Sequence, residues 1–177
     1  VQDGSGGTDS AVMTTSFAAV NDAPVNTLGT PSAVDEDTAK EISGNSIADV
    51  DDTSMTSVVI TASRGTFSLA QITDLTFAAG DGTADETMTF SGTVTNINSA
   101  IATLTWTSAS NDDADATITV VTTDDEGASD TDSMSITVNS VNDAPTSTSF
   151  TVTTNEDVAH TFAASEFGYA DVDSGDA

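Results

Sequence analysis

The sequence predicts an all-β protein, a Greek-key β-sandwich repeated in tandem about every 121 residues, with one short helical crossover. Three observations lead there. Apolar residues alternate with serine and threonine in short runs, which is the pattern of half-buried strands. Clusters of Gly, Asp and Asn bound those runs, as turns require. The motif VNDAP at Val20 to Pro24 returns at Val141 to Pro145, 121 residues on.

The flanks of that motif repeat as well. Asp3, Gly6, Asp9 and Met13 recur as Asp124, Gly127, Asp130 and Met134. Glu36-Asp37 returns as Glu156-Asp157, and ADVD at 48–51 returns at 170–173, each with a slip of one residue. Three segments are therefore expected: 1–23 as the end of a preceding repeat plus linker, 24–143 as one complete repeat, and 144–177 as the start of the next. A chain that cuts two repeats is expected to be a piece of a longer array.

Within 24–143 the strands are read in order. Val58, Ile60 and Ala62 alternate with Val59, Thr61 and Ser63; Met88 and Phe90 alternate with threonines. GDGTAD, Gly80 to Asp85, precedes the second run and reads as a hairpin loop. Leu104 and Trp106 alternate in TLTWT, Ile118 and Val120 in ATITVV, and Met134, Ile136 and Val138 in SMSITV. The exception is NINSAIATL, where Ile97, Ile101 and Leu104 fall at helical spacing with Thr95 or Asn96 available as N-cap. Trp106 is expected in the core, His160 in an ordinary strand, and Arg64 in a surface turn.

Charge narrows the function. The 177 residues carry 29 acids against Lys40 and Arg64, a net charge of -27. Two cations cannot neutralise a phosphate backbone, and anionic lipid repels such a surface, so nucleic-acid and membrane-surface roles are excluded. No apolar run approaches the ~20 residues that span a bilayer. With one histidine and no cysteine, little is left for a zinc site or a Cys/His or Ser/His nucleophile system. Charge this one-sided strains a compact state unless cations compensate it.

The acids are grouped. Asp-x-Asp pairs stand at 49/51, 113/115, 130/132 and 171/173, with denser clusters at 35–37 and 124–126. Carboxylate oxygens at alternate positions suit Ca²⁺, which takes roughly 6–8 oxygen ligands in flexible geometry. Mg²⁺ suits them less, because it keeps waters and a phosphate partner. Screening by monovalent salt is the competing explanation. The EF-hand pattern is not completed by any of these loops.

One combination is specific. Thr122 to Pro145, TTDDEGASDTDSMSITVNSVNDAP, resembles the end of a cadherin-type domain: an acidic turn, a last alternating strand and an Asn-Asp-x-Pro linker. Leu75 to Trp106 resembles the cadherin-like tandem repeats of giant bacterial surface adhesins. The resemblance implies a calcium-binding, cadherin- or Ig-like sandwich with ligands gathered at each junction between repeats. Carried over, the first junction would use Asp3, Asn21, Asp22, Asp49 and Asp51. The second would use Glu36, Asp124, Asp125, Asn142 and Asp143 with Asp171 and Asp173. The linker is one residue shorter than the cadherin form, with Ser140 where its leading Asp would stand. Gly4 stands where the second copy of the turn has Asp125, so weaker binding is expected at the first junction.

The function this implies is an extracellular, non-enzymatic extender repeat stiffened by Ca²⁺, with neighbouring repeats of the same chain as partners. Other modules would hold any cell-surface or matrix ligand. The alternative is a filament subunit whose partial terminal repeats are completed by neighbouring protomers. A third reading makes Asp112, Asp113 and Asp115 a carboxylate cluster beside Trp106 as a sugar platform; adjacency on one loop does not supply the opposed carboxylates that glycoside cleavage needs.

Overall fold

A computed structural model describes Val1 and residues 3 to 173. It is built of strands in several sheets. In chain order these are β1 (Val25–Thr27), β2 (Val34–Asp35), β3 (Lys40–Ser43), β4 (Ser46–Ala48), β5 (Ser54–Ala62), β6 (Thr66–Ser68), β7 (Thr76–Ala79) and β8 (Thr87–Thr93). Helix α1 (Val94–Ile101) follows, then β9 (Thr103–Thr107), β10 (Ala116–Thr123), β11 (Ser129–Ile136) and β12 (Val138–Asn139).

The larger sheet has the order β11-β10-β5-β8-β7, all antiparallel, and the smaller one the order β3-β9-β6. Alternation decides what each buries. Ile60, Met88, Phe90, Ile118 and Val120 point from the larger sheet into one core with Ile42, Phe67, Leu104 and Trp106 from the smaller, while Thr56 and Thr61 of β5 and Thr117 and Thr119 of β10 lie outside it. Met55 and Val58 are both buried despite their odd separation. A register shift between them, where β5 meets β8, returns both to the inner face.

Trp106 has no exposed surface, and its indole N–H donates to the Arg64 carbonyl at 3.0 Å, so the polar edge is satisfied. Arg64 itself makes a surface ion pair with Asp112 at 2.9 Å.

The helical crossover is present, with a different start. Thr93, the last residue of β8, is the N-cap: its backbone is extended and its hydroxyl accepts from Asn96 N–H at 3.2 Å. Ile97 and Ile101 face the core as expected, but the helix ends at Ile101 and Leu104 belongs to β9. The Asn98 side chain then serves the edge of β4, accepting from Ile47 N–H at 2.7 Å and donating to Ile47 O at 2.8 Å. GDGTAD closes the β7–β8 hairpin, with the Asp85 carboxylate accepting from the N–H groups of Asp81 and Gly82.

Two short pairs complete the unit. β1 pairs with β4 antiparallel, and β12 pairs with β2 in parallel, Val138 opposite Val34 and Asn139 opposite Asp35.

Beyond Asp143, His160 is not in a strand. It sits in an irregular segment, its Nε2 at 3.0 Å from Glu166 Oε1 and its ring edge-on to Phe162. Among the described residues there, the regular structure is one antiparallel bridge, Thr146 to Ala170, and a 3-10 turn at Ala164–Phe167. The last four residues of the expected 144–177 segment lie outside the described residues.

Candidate metal centre

Where the expected linker, Val20 to Pro24, enters the sandwich, Asp49, Asp52 and Asp124 converge, one carboxylate oxygen of each within 4.8 Å of the others. A second trio, Asp52, Asp125 and Glu126, shares Asp52 with the first. Ordinary local devices hold them. Asp124 opens the β10–β11 turn, its Oδ1 accepting from Ala128 N–H at 2.7 Å. Asp49 follows β4 in an Asx turn, its Oδ1 accepting from the N–H groups of Asp51 and Asp52 at 2.9 and 3.0 Å.

That turn sends neighbouring acids in different directions. Asp51 Oδ2 accepts from the linker N–H of Asp22 at 2.9 Å, whereas Asp52 turns into the cluster. The linker is tied a second time, by Asn21 Nδ2 donating to Asp124 Oδ2 at 2.8 Å. Asp124 is 1% exposed. Asp49 Oδ2 and Asp52 Oδ2 are buried with no hydrogen-bond partner. Buried carboxylate oxygens without donors, facing one another, cost free energy that a hard cation would offset. The clusters are acidic groups that could hold a metal ion.

Electrostatics follow from the crowding. The hydrogen bond from Asn21 holds the Asp124 carboxyl below the ordinary carboxylate range. Desolvation, and then the Asp125 carboxylate beside it, pushes Asp52 up. Asp125 is lowered, first by its hydrogen bond with Glu126 and then by that with Asp52. Glu126 is pushed up to about 7 from its ordinary 4.5, first by the hydrogen bond it shares with Asp125 and then by desolvation.

A folded-state pKa above the unfolded one means that the folded chain takes up its proton first. Without divalent cations, stability is therefore expected to rise as pH falls from about 7 toward 4.5, through the window set by Glu126. Urea midpoints across that range test it, with Glu126→Gln expected to flatten the slope. A parent midpoint that falls on acidification, or a slope the variant leaves unchanged, would refute the assignment.

The far end of the sandwich gathers a second set. Glu36, 5% exposed, accepts from Val141 N–H at 2.8 Å through Oε1. With Asn111, Asp113, Ser140, Val172 and Asp173 it lines a polar cavity of about 100 Å³. Asp143 N–H donates to Asp173 Oδ2, and Asp173 N–H to Asp171 Oδ1. The Asn142 side chain donates to the Asp143 carbonyl at 2.9 Å.

This grouping differs from the expected one in two respects. Asp124 and Asp125, assigned to the second junction, stand at the first, beside Asn21 and Asp49. The reason is strand length: eight residues of β11 separate the 124–128 turn from the exit, about 26 Å at ~3.3 Å per residue. Asp3 likewise stays with its own turn, accepting from the N–H groups of Ser5 and Gly7. Asp52 and Glu126 at the first end, and Asn111 and Asp113 at the second, were not singled out as junction ligands from sequence. A DD or DDE run does not say which carboxylate turns inward.

The loop acids of the third reading are otherwise engaged. Asp112 pairs with Arg64, Asp115 Oδ1 accepts from Val138 N–H at 3.0 Å, and buried Trp106 has no face to offer a sugar. The sequence matches no protein-family model and no curated protein. Among the described residues no helix is long and apolar enough to cross a membrane.

Proposed function

We propose that the chain is a calcium-binding structural extender repeat of a large bacterial cell-surface or secreted adhesin, stiffened by Ca²⁺ at its inter-repeat junctions. The observation that supports it is the pair of buried, donorless oxygens of Asp49 and Asp52 beside buried Asp124, at the point where the linker arrives. The adhesin setting rests on the resemblance of Thr122 to Pro145 and Leu75 to Trp106 to cadherin-like repeats.

Without cations the linker is held at this junction by the Asn21–Asp124 and Asp22–Asp51 hydrogen bonds, beside carboxylates that repel. A Ca²⁺ ion among Asp49, Asp52 and Asp124 converts that repulsion into coordination. Asn21 and Asp22 then anchor the linker to a neutralised site, and adjacent repeats cannot swing. The acids at Glu36, Asp113, Asp143 and Asp173 would do the same at the far junction.

Calcium titration by calorimetry, paired with thermal melts in Ca²⁺ and in chelator at matched ionic strength, tests this. Binding with a rise in melting temperature that extra NaCl does not reproduce is expected. Equal melting in both conditions would leave the acids as salt-screened surface and overturn the reading.

A further inference from the structure

Alternation gives the larger sheet an outward face as regular as its inward one. The registers line its side chains up across the strands: Ser133, Thr119, Thr61 and Thr87 form one row, and Thr131, Val121, Val59 and Thr89 the next. All of these are exposed or half-buried, and within the first row Thr87 Oγ1 lies 3.4 Å from Thr61 Oγ1. Neither row holds a charge. β5, β7, β8 and β10 contain no charged residue, and the two acids of β11, Asp130 and Asp132, stand opposite buried Thr122 and Val120, on the other side of the sheet. In a chain of 29 acids and two bases, this face of hydroxyls and methyls is neutral.

That chemistry sets terms for what can cover it. A partner rich in either charge finds nothing to pair with there. The side chains are short, so packing them costs little rotamer freedom, and hydroxyls both donate and accept, so a surface of the same composition satisfies them. A second copy supplies such a surface with the same twist, and two like-twisted sheets pack face to face about 30° apart, as the two sheets of a sandwich do. It is also a surface on which two chains of net charge -27 can meet without apposing carboxylates. The size suffices. Four strands ~4.8 Å apart and the eight residues of β10 at ~3.3 Å each span about 500 Å², or about 1,000 Å² over two copies, where specific association begins.

We infer that this face is an interface between two copies of the chain, lying side by side and packed sheet on sheet about a two-fold axis near the row of Thr119 and Thr61. The same surface serves both copies, so the contact closes on itself and stops at a dimer. Because the rest of each copy is anionic, the contact strengthens as salt screens the repulsion, the reverse of a contact built on ion pairs. It uses neither the acid clusters nor a cation, and its failure would leave the calcium reading standing.

The test is sedimentation of the full chain in chelator, at low and high NaCl, over a concentration series reaching about 1 mM. The parent mass is expected to grow from one chain toward two and no further, and at lower concentration in high NaCl. Thr61→Asp and Thr119→Lys each set a charge in the middle of the face, twice over in the dimer, and should weaken association about 30-fold or more. They change the net charge in opposite directions, so a shared loss belongs to the face and not to overall repulsion. Both side chains point away from the core, and circular dichroism should show the sandwich folded in each. Thr105→Lys, opposite Glu41 on the smaller sheet, should associate at least as well as the parent. A parent that stays monomeric in high NaCl, a mass that grows past two chains, a folded Thr61 or Thr119 variant that associates like the parent, or a loss at Thr105 would overturn the proposal.

Discussion

In chelator, Asp52→Asn is expected to melt at a higher temperature than the parent chain, and in excess calcium at a lower one. The inversion follows from one side chain in two roles. Without a cation, Asp52 is desolvated and faces Asp125, Asp49 and Asp124, which is why its pKa is raised; an amide of the same shape removes that repulsion. With calcium present, the same change removes a ligand oxygen. Its affinity cost should be at least the roughly 10–100-fold that losing an outer-shell partner brings. Two melting curves and one calorimetric titration per variant decide it. The same order in both conditions would mean that Asp52 carries no cation, whatever the rest of the cluster does.

The second large effect belongs to the core. Trp106→Ala should cost about 3–5 kcal/mol, a large part of the roughly 5–15 kcal/mol that holds a domain together. The indole is wholly buried between the sheets, so its loss leaves a cavity and strands the Arg64 carbonyl that it satisfied. Urea unfolding followed by circular dichroism measures the change. Trp106→Phe keeps most of the volume and should lose far less. A Trp106→Ala chain as stable as the parent would place the indole outside the structural core.

The long strands were legible because burial alternates along β9 and β10, and that alternation survives in TLTWT and ATITVV whatever surrounds them. The helix was legible from Ile97 and Ile101, but its start was not. Thr93 caps it from the end of a strand, and only the backbone turn at that point reveals the hydroxyl's reach. The candidate centre was legible as a list of acids and not as a grouping. Which acids meet depends on the ends at which the turns fall, and that is a matter of strand direction and length. Asp124 belongs with Asn21 because β11 runs from that end to the other. His160 failed as a strand residue because, among the described residues, its stretch pairs with no strand that would favour alternation.

The parallel pairing of β2 with β12 has a consequence for load. The chain passes through β1 to reach the first of these strands and leaves from the second, and both run the same way. Pulling the two ends apart therefore slides one strand along the other. The crosslinks Val34 to Thr137, Glu36 to Asn139 and Val141 to the Glu36 carboxylate are strained together, where a hairpin would give them up one at a time. A unit wired in this way resists tension in shear, and the force it bears passes through Glu36, the residue that also lines the cavity at the exit.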